Sequence, residues 1–435
     1  MTIPKVDDFI ANGATAEDVA NLPKIPAWPR MAPEAYHGLA GRIVKAIEPY
    51  SEADPVAILV NILVGAGNVI GRGIHSVVES TEHTCGEFAA LVGKTSKGRK
   101  GQSWGSPKRV LTGADEVWAK TRIRHGLSSG EGVIANVRDA RWGLNKKGER
   151  ILEDEGETDK RLLIFEHEFA TVLKRMKGET NTLSAVLREG WETGDLSTLT
   201  KNSPLRATGA HISTIAHTTS EELVTSLTET DRANGFANRF MYFLVRRSKE
   251  LPEMEGVPAA SLIPFIAEMQ EVVSWALQPR HLTRDVQAKA LWAKVYHDLS
   301  KGEPGMIGAV LGRSEAHALR LSLIYAALDR SPEVRVEHLK AALAVWDYAE
   351  RSSRQIFGNA LGLSVADTIL AALRKRGPMT RTEISGLFGR NKTEAEISAA
   401  LDLLLERKQV KKTFRVPADG KGRTAEMWEA TKETN

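Results

Sequence analysis

The stretch that decides the fold reads Phe88-Ala89-Ala90-Leu91-Val92-Gly93-Lys94-Thr95-Ser96-Lys97-Gly98-Arg99-Lys100-Gly101-Gln102-Ser103. Its first five residues are apolar, which is typical of a buried strand. The residues that follow are small, polar and basic, and their glycines allow backbone N–H groups to face an anion. A strand that runs into a glycine- and lysine-rich turn predicts a phosphate-binding loop at the end of that strand.

Two registers of this loop fit the sequence. In the first, Gly93 and Gly98 take the glycine positions of G-x-x-x-x-G-K-[ST], but Arg99 then holds the lysine position. In the second register, Gly98 and Gly101 form the turn, Lys100 is the phosphate lysine, and Ser103 supplies the hydroxyl for Mg²⁺. We favour the second register because it supplies both a lysine and a hydroxyl. The alternative is a basic surface loop that binds nothing. The predicted nucleotide-binding residues are Gly93, Thr95, Ser96, Lys97, Gly98, Arg99, Lys100, Gly101, Gln102 and Ser103.

A second buried strand is predicted over Leu162–Phe165, and it is followed at once by Glu166-His167-Glu168. Open α/β sheets place ligand chemistry at the carboxyl ends of their strands. We expect Glu166 to hold Mg²⁺ through water and Glu168 to orient the attacking water, since phosphoryl transfer depends on positioning and charge neutralisation. A buried strand that ends in a solvated acidic turn is the alternative interpretation.

Two other side chains are candidates for the same site. Glu131 follows a predicted strand end and is able to face the γ-phosphate, but Ser128 and Glu131 also match a capping box, which we favour. His217 ends the apolar run that starts at His211, where it is equally suited to sense a phosphate or to fill the core. No pattern of histidine and cysteine fits zinc ligation.

Two arginines beside the last predicted strand are candidates for acting on a nucleotide bound by a neighbouring subunit. Arg239 is the main candidate for reaching a neighbouring γ-phosphate, with Arg232 second, because a guanidinium there stabilises transition-state charge. An ordinary salt bridge is the alternative. Arg313, His317 and Arg320 share one helical face, and we expect two of these three side chains to face water.

Short apolar runs separated by helical or polar segments dominate the middle of the chain. The four runs are Phe88–Val92, Leu162–Phe165, His211–Ala216 and Phe240–Val245. This alternation predicts an α/β fold with a largely parallel sheet. The charged stretch from Asn145 to Lys160 is expected to be an exposed loop. The predicted domains are an irregular leader (1–32), a helical segment (33–80), an α/β core (81–250), a helical subdomain (251–360) and a C-terminal domain (361–435).

Residues 361–435 show the signals of three helices and a hairpin in order. Gly377-Pro378 ends the first helix, Thr380 to Glu383 forms a capping box for the second, and Asp419-Gly420 separates two strand-like runs. This order is typical of a winged helix, a module that positions itself on DNA through phosphate contacts. A protein-interaction winged helix is the alternative. The predicted DNA-binding residues are Arg381, Arg390, Lys392, Lys411, Lys412, Arg415, Lys421 and Arg423.

Composition limits the class of protein. The chain has 435 residues, of which 42% are apolar and 26% charged, so disorder and collagen-like repeats are excluded for most of it. One cysteine, Cys85, permits no internal disulfide and favours a reducing, cytoplasmic location, and no signal or membrane segment is visible. The net charge of +4 lies entirely after Ser364, where 14 basic residues face 10 acidic ones. This surplus favours a polyanionic partner for the tail.

Five separated motifs together resemble a known family of ATPases. The motifs run from Val92 to Trp104, Gly126 to Gly132, Asn181 to Trp191, Asn202 to His217 and Gly235 to Phe240. They resemble the helicase-like P-loop ATPases that occur with primases in phages, plasmids and integrated elements, over roughly Pro33 to Phe357. The resemblance implies a RecA-like core that binds ATP and Mg²⁺, forms oligomers such as hexameric rings and works with a primase partner.

Two functions follow from these observations. The first is a DNA-binding, helicase-like ATPase that acts in the replication of a mobile genetic element. The second is a DNA-binding assembly or regulatory protein whose nucleotide site no longer hydrolyses ATP.

Overall fold

The computed structural model describes residues 28–94, 98–178, 180–198, 204–227, 229–253, 255–303, 305–357, 364–389, 392–406, 408–415 and 425–431. Residues 29–362 form one compact unit, and the described residues from 364 onward belong to a second. The larger unit therefore takes in the three segments predicted separately as 33–80, 81–250 and 251–360.

The larger unit starts with two helices. Helix α1 (Gly38–Ile47) is amphipathic, whereas nearly every residue of α2 (Pro55–Ile70) is buried. Pro55 opens α2 because its fixed φ suits the first helical turn, and the Asp54 side chain accepts a hydrogen bond from the Val56 N–H. Helix α2 is thus the central helix of the unit.

The middle of the larger unit alternates strands and helices. Its elements are β1 (Ile74–Val78), β2 (Thr81–Thr84), β3 (Phe88–Val92), α3 (Gln102–Ala114), α4 (Glu116–Thr121), β4 (Ile123–Arg124), α5 (Gly130–Ala135), β5 (Arg141–Leu144), β6 (Arg150–Asp154), β7 (Arg161–Glu166), α6 (Phe169–Met176), α7 (Leu183–Glu192), β8 (Leu196–Ser197), β9 (Arg206–Ala207), β10 (His211–Thr218), α8 (Ser220–Ser226), α9 (Glu229–Ala233) and β11 (Phe240–Leu244).

Five of these strands form a parallel sheet in the order β11-β3-β10-β7-β4. The four strands predicted from apolar runs are confirmed as members of it. Strand β4 has only two residues, too few to produce a recognisable apolar run. The prediction of an α/β fold is correct, and the sheet is compatible with a RecA-like core.

One prediction in this region holds only in part. Within the charged stretch from Asn145 to Lys160, Arg150–Asp154 form strand β6, which pairs with β5 as an antiparallel hairpin, while the rest of the stretch is turn and irregular chain. The Asn145 side chain accepts hydrogen bonds from the backbone N–H groups of Lys147 and Glu149, and Gly148 adopts a φ of +80°. This local turn closes the hairpin although its strands are mostly exposed.

The rest of the larger unit is mainly helical. Its elements are α10 (Ala259–Ala276), β12 (Arg280–His281), α11 (Val286–Ser300), α12 (Gly305–Leu311), α13 (Ser314–Leu328) and α14 (Val336–Phe357). Buried residues of α2, β3, α13 and α14 belong to the same hydrophobic core. The helices therefore share their core with the sheet.

The C-terminal unit contains the predicted three helices and hairpin. Its elements are α15 (Ser364–Arg376), β13 (Met379–Thr380), α16 (Arg381–Gly386), α17 (Glu394–Glu406), β14 (Val410–Arg415) and β15 (Ala425–Ala430). The predicted capping box is confirmed, since Thr380 and Glu383 bond each other's backbone N–H groups. Strand β13, which the sequence did not reveal, joins β15 and β14 in a small antiparallel sheet.

A search of the described helices for a stretch long and apolar enough to span a bilayer finds none.

Candidate functional site

The predicted phosphate loop and the predicted acidic strand end meet at one edge of the sheet. Strands β3 and β7 both pair in parallel with β10, which lies between them. The register aligns Val92 with Thr218 and Glu166 with Ala216. With one strand between them, the two ends are about 10 Å apart. The arrangement places a basic loop and a carboxylate at the same edge of the sheet, on either side of the end of β10.

Two glycines of the loop are required by close backbone contacts. A Cβ atom on Gly93 would lie 2.4 Å from the carbonyl oxygen of Val245, and one on Gly98 would lie 2.7 Å from that of Lys94. Gly101 has open space around it. The tight positions are therefore those of the first register, five residues apart.

The lysine of the second register folds over the loop. Lys100 Nζ donates to the carbonyl oxygens of Gly93, at 2.7 Å, and Lys94, at 3.0 Å. Arg99 adopts a φ of +53° and turns away to form an ion pair with Glu52 at 2.7 Å. Lys100 is therefore the cation that faces the loop interior, while Arg99 anchors the loop from outside.

Burial changes the basicity of this lysine. Desolvation lowers the pKa of Lys100, and the charge of Glu222 on α8 opposes that change. Helix α3 starts directly after the loop, and its N-cap, Gly101, provides no side-chain cap. In place of a side-chain cap, the first two N–H groups, those of Gln102 and Ser103, donate to the carbonyl oxygens of Arg99 and Lys100.

Ser103, the predicted Mg²⁺ hydroxyl, lies inside the protein. Its Oγ accepts a hydrogen bond from Asn61 Nδ2 at 2.8 Å and donates to the Lys100 carbonyl oxygen at 2.6 Å. The residue is 1% exposed. In this conformation the hydroxyl positions the loop against α2. Thr95, Ser96 and Lys97 lie outside the described residues.

The two carboxylates after β7 differ in environment. Glu166 is buried, and its Oε1 accepts the Leu127 backbone N–H at 2.6 Å. Glu168 is exposed at the start of α6. Glu166 is thus held rigidly at the strand end, whereas Glu168 is free to meet a ligand in solvent.

Glu131 lies in the first turn of α5, the helix that follows the edge strand β4. The predicted capping box with Ser128 is wrong, because the N-cap of α5 is Ser129, whose side chain accepts the Gly132 N–H. Glu131 instead accepts a hydrogen bond from Thr182 Oγ1 of the neighbouring helix α7 at 3.0 Å. Strand β4 lies three positions from β3, so this carboxylate is farther from the loop than Glu166.

Three histidines line adjacent strand ends, and the sequence pointed to only one of them. His217 is buried in β10, and its Nε2 has no hydrogen-bond partner among the described residues. Its ring centroid lies 5.9 Å from that of His167, which in turn is 5.7 Å from that of His125. Burial, His167 and Lys100 together lower the pKa of His217 to about 3. His217 is therefore a neutral ring whose unpaired Nε2 is shielded from solvent.

The predicted intersubunit arginine, Arg239, lies at the amino-terminal ends of the strands, whereas the loop lies at their carboxyl ends. Arg239 directly precedes β11, is buried, and forms an ion pair with Glu192 at 2.9 Å.

The expectation that two of Arg313, His317 and Arg320 face water is wrong. Helix α13 is buried on nearly all sides, so His317 and Arg320 are 1% and 2% exposed. The side chain of Arg232 is not described.

The predicted DNA-binding residues of the C-terminal unit have acidic neighbours. Lys392, Lys411 and Lys412 form ion pairs with Glu396, Glu429 and Glu426. Arg381 bonds Ser398 and lies 3.7 Å from Glu394. Arg390, Lys421, Arg423 and the side chain of Arg415 lie outside the described part of the chain. Helix α17 contains four acidic residues and no basic one, so it is poorly suited to approach phosphates.

A separate cluster in the larger unit joins His37, Asp329 and His338. Asp329 Oδ2 lies 2.7 Å from His37 Nε2 and 3.1 Å from His338 Nε2. These three atoms are close enough to share a metal ion. However, His338 Nδ1 accepts the Arg335 N–H at 3.0 Å, so the ring proton sits on Nε2 and points at Asp329. A metal at Nε2 requires the opposite tautomer. The cluster is therefore a hydrogen-bond network that links the start of α1 to the end of α13.

This network predicts pH-dependent stability. The hydrogen bond to Asp329 raises the pKa of His37 above 6.5, and both histidines lower the pKa of Asp329 below its ordinary 3.8. The His37 contribution is complete below its unfolded pKa and is lost as the pH rises through the folded one. We expect His37→Gln to destabilise the protein by about 1 kcal/mol near pH 5.5 and by much less near pH 8.5, measured by urea unfolding. Exposed His297→Gln is the control, and equal losses at both pH values would contradict the prediction.

Comparison with models of known protein families gives no match, and comparison with curated proteins gives no significant similarity. The geometry of the site is therefore the basis for assigning a function.

Proposed function

We propose that this chain is a DNA-binding P-loop ATPase, a helicase-like motor in the replication of a mobile genetic element. One observation carries the proposal. The loop with Lys100 and the buried Glu166 lie at the same edge of a parallel sheet, about two strand spacings apart. This is the edge at which α/β sheets bind ligands, and a lysine opposite a carboxylate is the charge pattern that a magnesium triphosphate requires.

The backbone of the loop is closely packed. The positions of Gly93 and Gly98 leave no room for a Cβ, so these two glycines hold the loop in a tight turn beside Lys100. In the proposal, Lys100 exchanges its two carbonyl partners for phosphate oxygens, and His217 Nε2 donates to the terminal phosphate. Glu166 would hold Mg²⁺, and Glu168 would orient the attacking water. Bound Mg²⁺ would neutralise charge on the phosphates.

The DNA and oligomer parts of the proposal depend on other regions. The basic residues of strand β14 support a nucleic-acid partner, as does the surplus of positive charge after Ser364. In the proposal, Arg239 leaves its ion pair with Glu192 to act on a neighbouring subunit. A cytoplasmic ring of several copies, acting beside a primase, is the assembly that we propose.

The direct test measures ATP hydrolysis by the full chain with Mg²⁺, alone and with single-stranded or duplex DNA, together with its mass in solution. Turnover that DNA stimulates, in an oligomer, is the expected result. A chain that binds neither ATP nor any other nucleoside triphosphate would refute the proposal.

A second function is favoured by the environment of Ser103. Because its hydroxyl is buried between Asn61 and the Lys100 carbonyl, the site lacks an exposed hydroxyl at the predicted Mg²⁺ position. This supports an assembly or regulatory protein that binds nucleotide or DNA without hydrolysing ATP.

If the chain hydrolyses ATP, the variant Ser103→Ala tests whether the Ser103 hydroxyl serves Mg²⁺ or only anchors the loop. If the hydroxyl turns outward to Mg²⁺ during hydrolysis, we expect turnover to fall about 100-fold while nucleotide affinity without Mg²⁺ stays the same. If Ser103 only anchors the loop, Ser103→Ala and Asn61→Ala should lower stability to a similar degree and leave turnover per folded molecule unchanged. ATP turnover, nucleotide titration and thermal unfolding of both variants provide the comparison.

A further inference from the structure

The hairpin of β5 and β6 presents an exposed apolar face. Its two strands form a small sheet of their own, apart from the five-stranded sheet. Trp142 lies directly opposite Leu152, and Leu144 lies directly opposite Arg150, so these four side chains share one face of the hairpin. Trp142, Leu144 and Leu152 are 51%, 72% and 43% exposed. Large apolar side chains grouped in this way on a surface are typical of a binding site.

The side chains that flank this face are cationic. The guanidinium centre of Arg150 lies 4.6 Å from the centroid of the Trp142 ring, on one side of the indole. Lys146 and Lys147 are exposed in the turn at the tip of the hairpin. None of these three cations forms an ion pair with a described residue. We call the whole group the hairpin patch, which consists of Trp142, Leu144, Lys146, Lys147, Arg150 and Leu152.

The carboxylates of the hairpin leave this positive charge largely uncompensated. Two of them are neutralised by arginines outside the patch, in the pairs Glu153–Arg141 at 3.1 Å and Asp154–Arg138 at 2.7 Å. Glu149, beside the tip, accepts a hydrogen bond from Asn145 Nδ2 at 2.7 Å. Glu155 is exposed, but it lies beyond the base of the hairpin, about 15 Å along the strand from Arg150. At the tip, three cations therefore face one carboxylate.

The position of the hairpin separates it from the phosphate loop. Strand β5 follows α5, and β6 precedes β7, so the hairpin leaves the larger unit toward the amino-terminal end of β7. The loop lies at the carboxyl ends of the strands. Backbone hydrogen bonds of 2.9 Å, from Gly148 to Asn145 and from Asn145 to Glu149, hold the turn that carries the two lysines. The hairpin patch is thus a preformed surface that substitutions can change without touching the nucleotide site.

We propose that the hairpin patch binds single-stranded nucleic acid, with an unpaired base stacked on Trp142. Cations beside an exposed aromatic ring favour a polyanion that also offers flat apolar surfaces, and a nucleic-acid strand has both properties. Lys146 and Lys147 would contact phosphates next to the stacked base. Every base can stack, but a base inside a duplex is not available, so the contact would be independent of sequence and selective for single strands.

This inference rests on the proposed nucleic-acid partner, but it assigns the contact to the larger unit and does not depend on ATP hydrolysis. The test measures binding of the full-length chain to a labelled oligothymidylate, and to a duplex of the same length, by fluorescence anisotropy over a range of salt concentrations. We expect Trp142→Ala to bind the single strand about tenfold more weakly with the same salt dependence, because stacking involves no ion release. Trp142→Phe keeps an aromatic ring and should retain most of the affinity.

The lysines predict a different signature. The double variant Lys146→Gln with Lys147→Gln should reduce the slope of log K against log salt by about 0.7 per lysine, since each phosphate contact on a single strand releases that share of a counterion. The matched control is Lys289→Gln with Lys294→Gln, which alters two exposed lysines of α11 that have no ion pair among the described residues. Leu277→Ala, at a residue that is 75% exposed, controls for the loss of an exposed apolar side chain. Both controls should bind like the wild type.

The outcomes distinguish this inference from the proposed function. Unchanged affinity and slope in both hairpin variants, with thermal unfolding like that of the wild type, would overturn the inference. An equal loss for duplex and single strand in Trp142→Ala would also overturn it, because stacking requires an unpaired base. So would a lower mass in solution at wild-type affinity, since the hairpin would then join copies of the chain. Absence of ATP turnover in a wild type that binds the single strand would refute only the proposed function.

Discussion

Lys100→Ala is expected to reduce ATP turnover by at least about 100-fold, because it removes the cation that the loop holds closest to the phosphates. The two carbonyl bonds of Lys100 already place its ammonium group inside the loop. Burial lowers the pKa of this lysine, so less desolvation remains to be overcome when phosphate oxygens replace the carbonyls. Steady-state turnover and nucleotide titration of the purified variant measure the effect.

Two controls make this result specific. Lys94→Ala removes an exposed lysine of the same loop and should leave turnover within a few-fold of the wild type. Arg99→Ala breaks the ion pair with Glu52, so it should lower stability more than it lowers turnover. Normal turnover in Lys100→Ala, with a large loss in Arg99→Ala, would show that the first register is correct and that the arginine contacts the phosphates.

The buried sheet was predictable because parallel strands covered on both faces appear as uninterrupted apolar runs. Phe88–Val92 and Phe240–Leu244 are buried at every position, so each appears in the sequence as a short continuous apolar run. The same signal is absent for β4, which has two residues, and for the hairpin of β5 and β6. That hairpin depends on turn chemistry at Asn145 and Gly148, which charge patterning does not report.

The sequence predicted which types of residue form the site, but not how they are arranged. A glycine-rich loop after a strand indicates a phosphate site, but the sequence does not say which glycines are tight or where each cation points. Those answers depend on partners distant in sequence, namely Val245 beside Gly93 and Glu52 beside Arg99. The grouping of His125 and His167 with His217 was missed for a similar reason. His125 and His167 meet only because β4 and β7 are neighbours.

The burial of charged side chains was the hardest feature to predict from the sequence. Arg320 and His317 share a helical face that one-dimensional patterning assigns to solvent, yet both are buried against Gly86 and Glu87. A buried guanidinium is tolerated here because backbone carbonyls and the Trp191 ring take the place of water. Such compensation appears only in three dimensions.

Glu166→Gln should lower ATP turnover by about 100-fold and raise the Mg²⁺ concentration needed for half-maximal turnover, because it removes the charge that would hold the metal. The substitution keeps the shape of the side chain, and the amide oxygen still accepts the Leu127 N–H, so the strand end should remain in place. Binding of nucleotide without Mg²⁺ is expected to be unchanged. Turnover over a Mg²⁺ titration and unfolding curves at one pH supply the measurements.

Glu168→Gln separates the two carboxylate roles at this strand end. If Glu168 orients the attacking water, its variant should lose turnover while its Mg²⁺ requirement stays that of the wild type. Glu153→Gln, on the exposed hairpin strand β6, controls for the loss of one negative charge. A raised Mg²⁺ requirement in Glu168→Gln alone would reverse the assignment, because the exposed carboxylate would then be the metal ligand. Normal turnover in both variants would mean that neither acid serves the reaction, and that the roles proposed for this strand end are wrong.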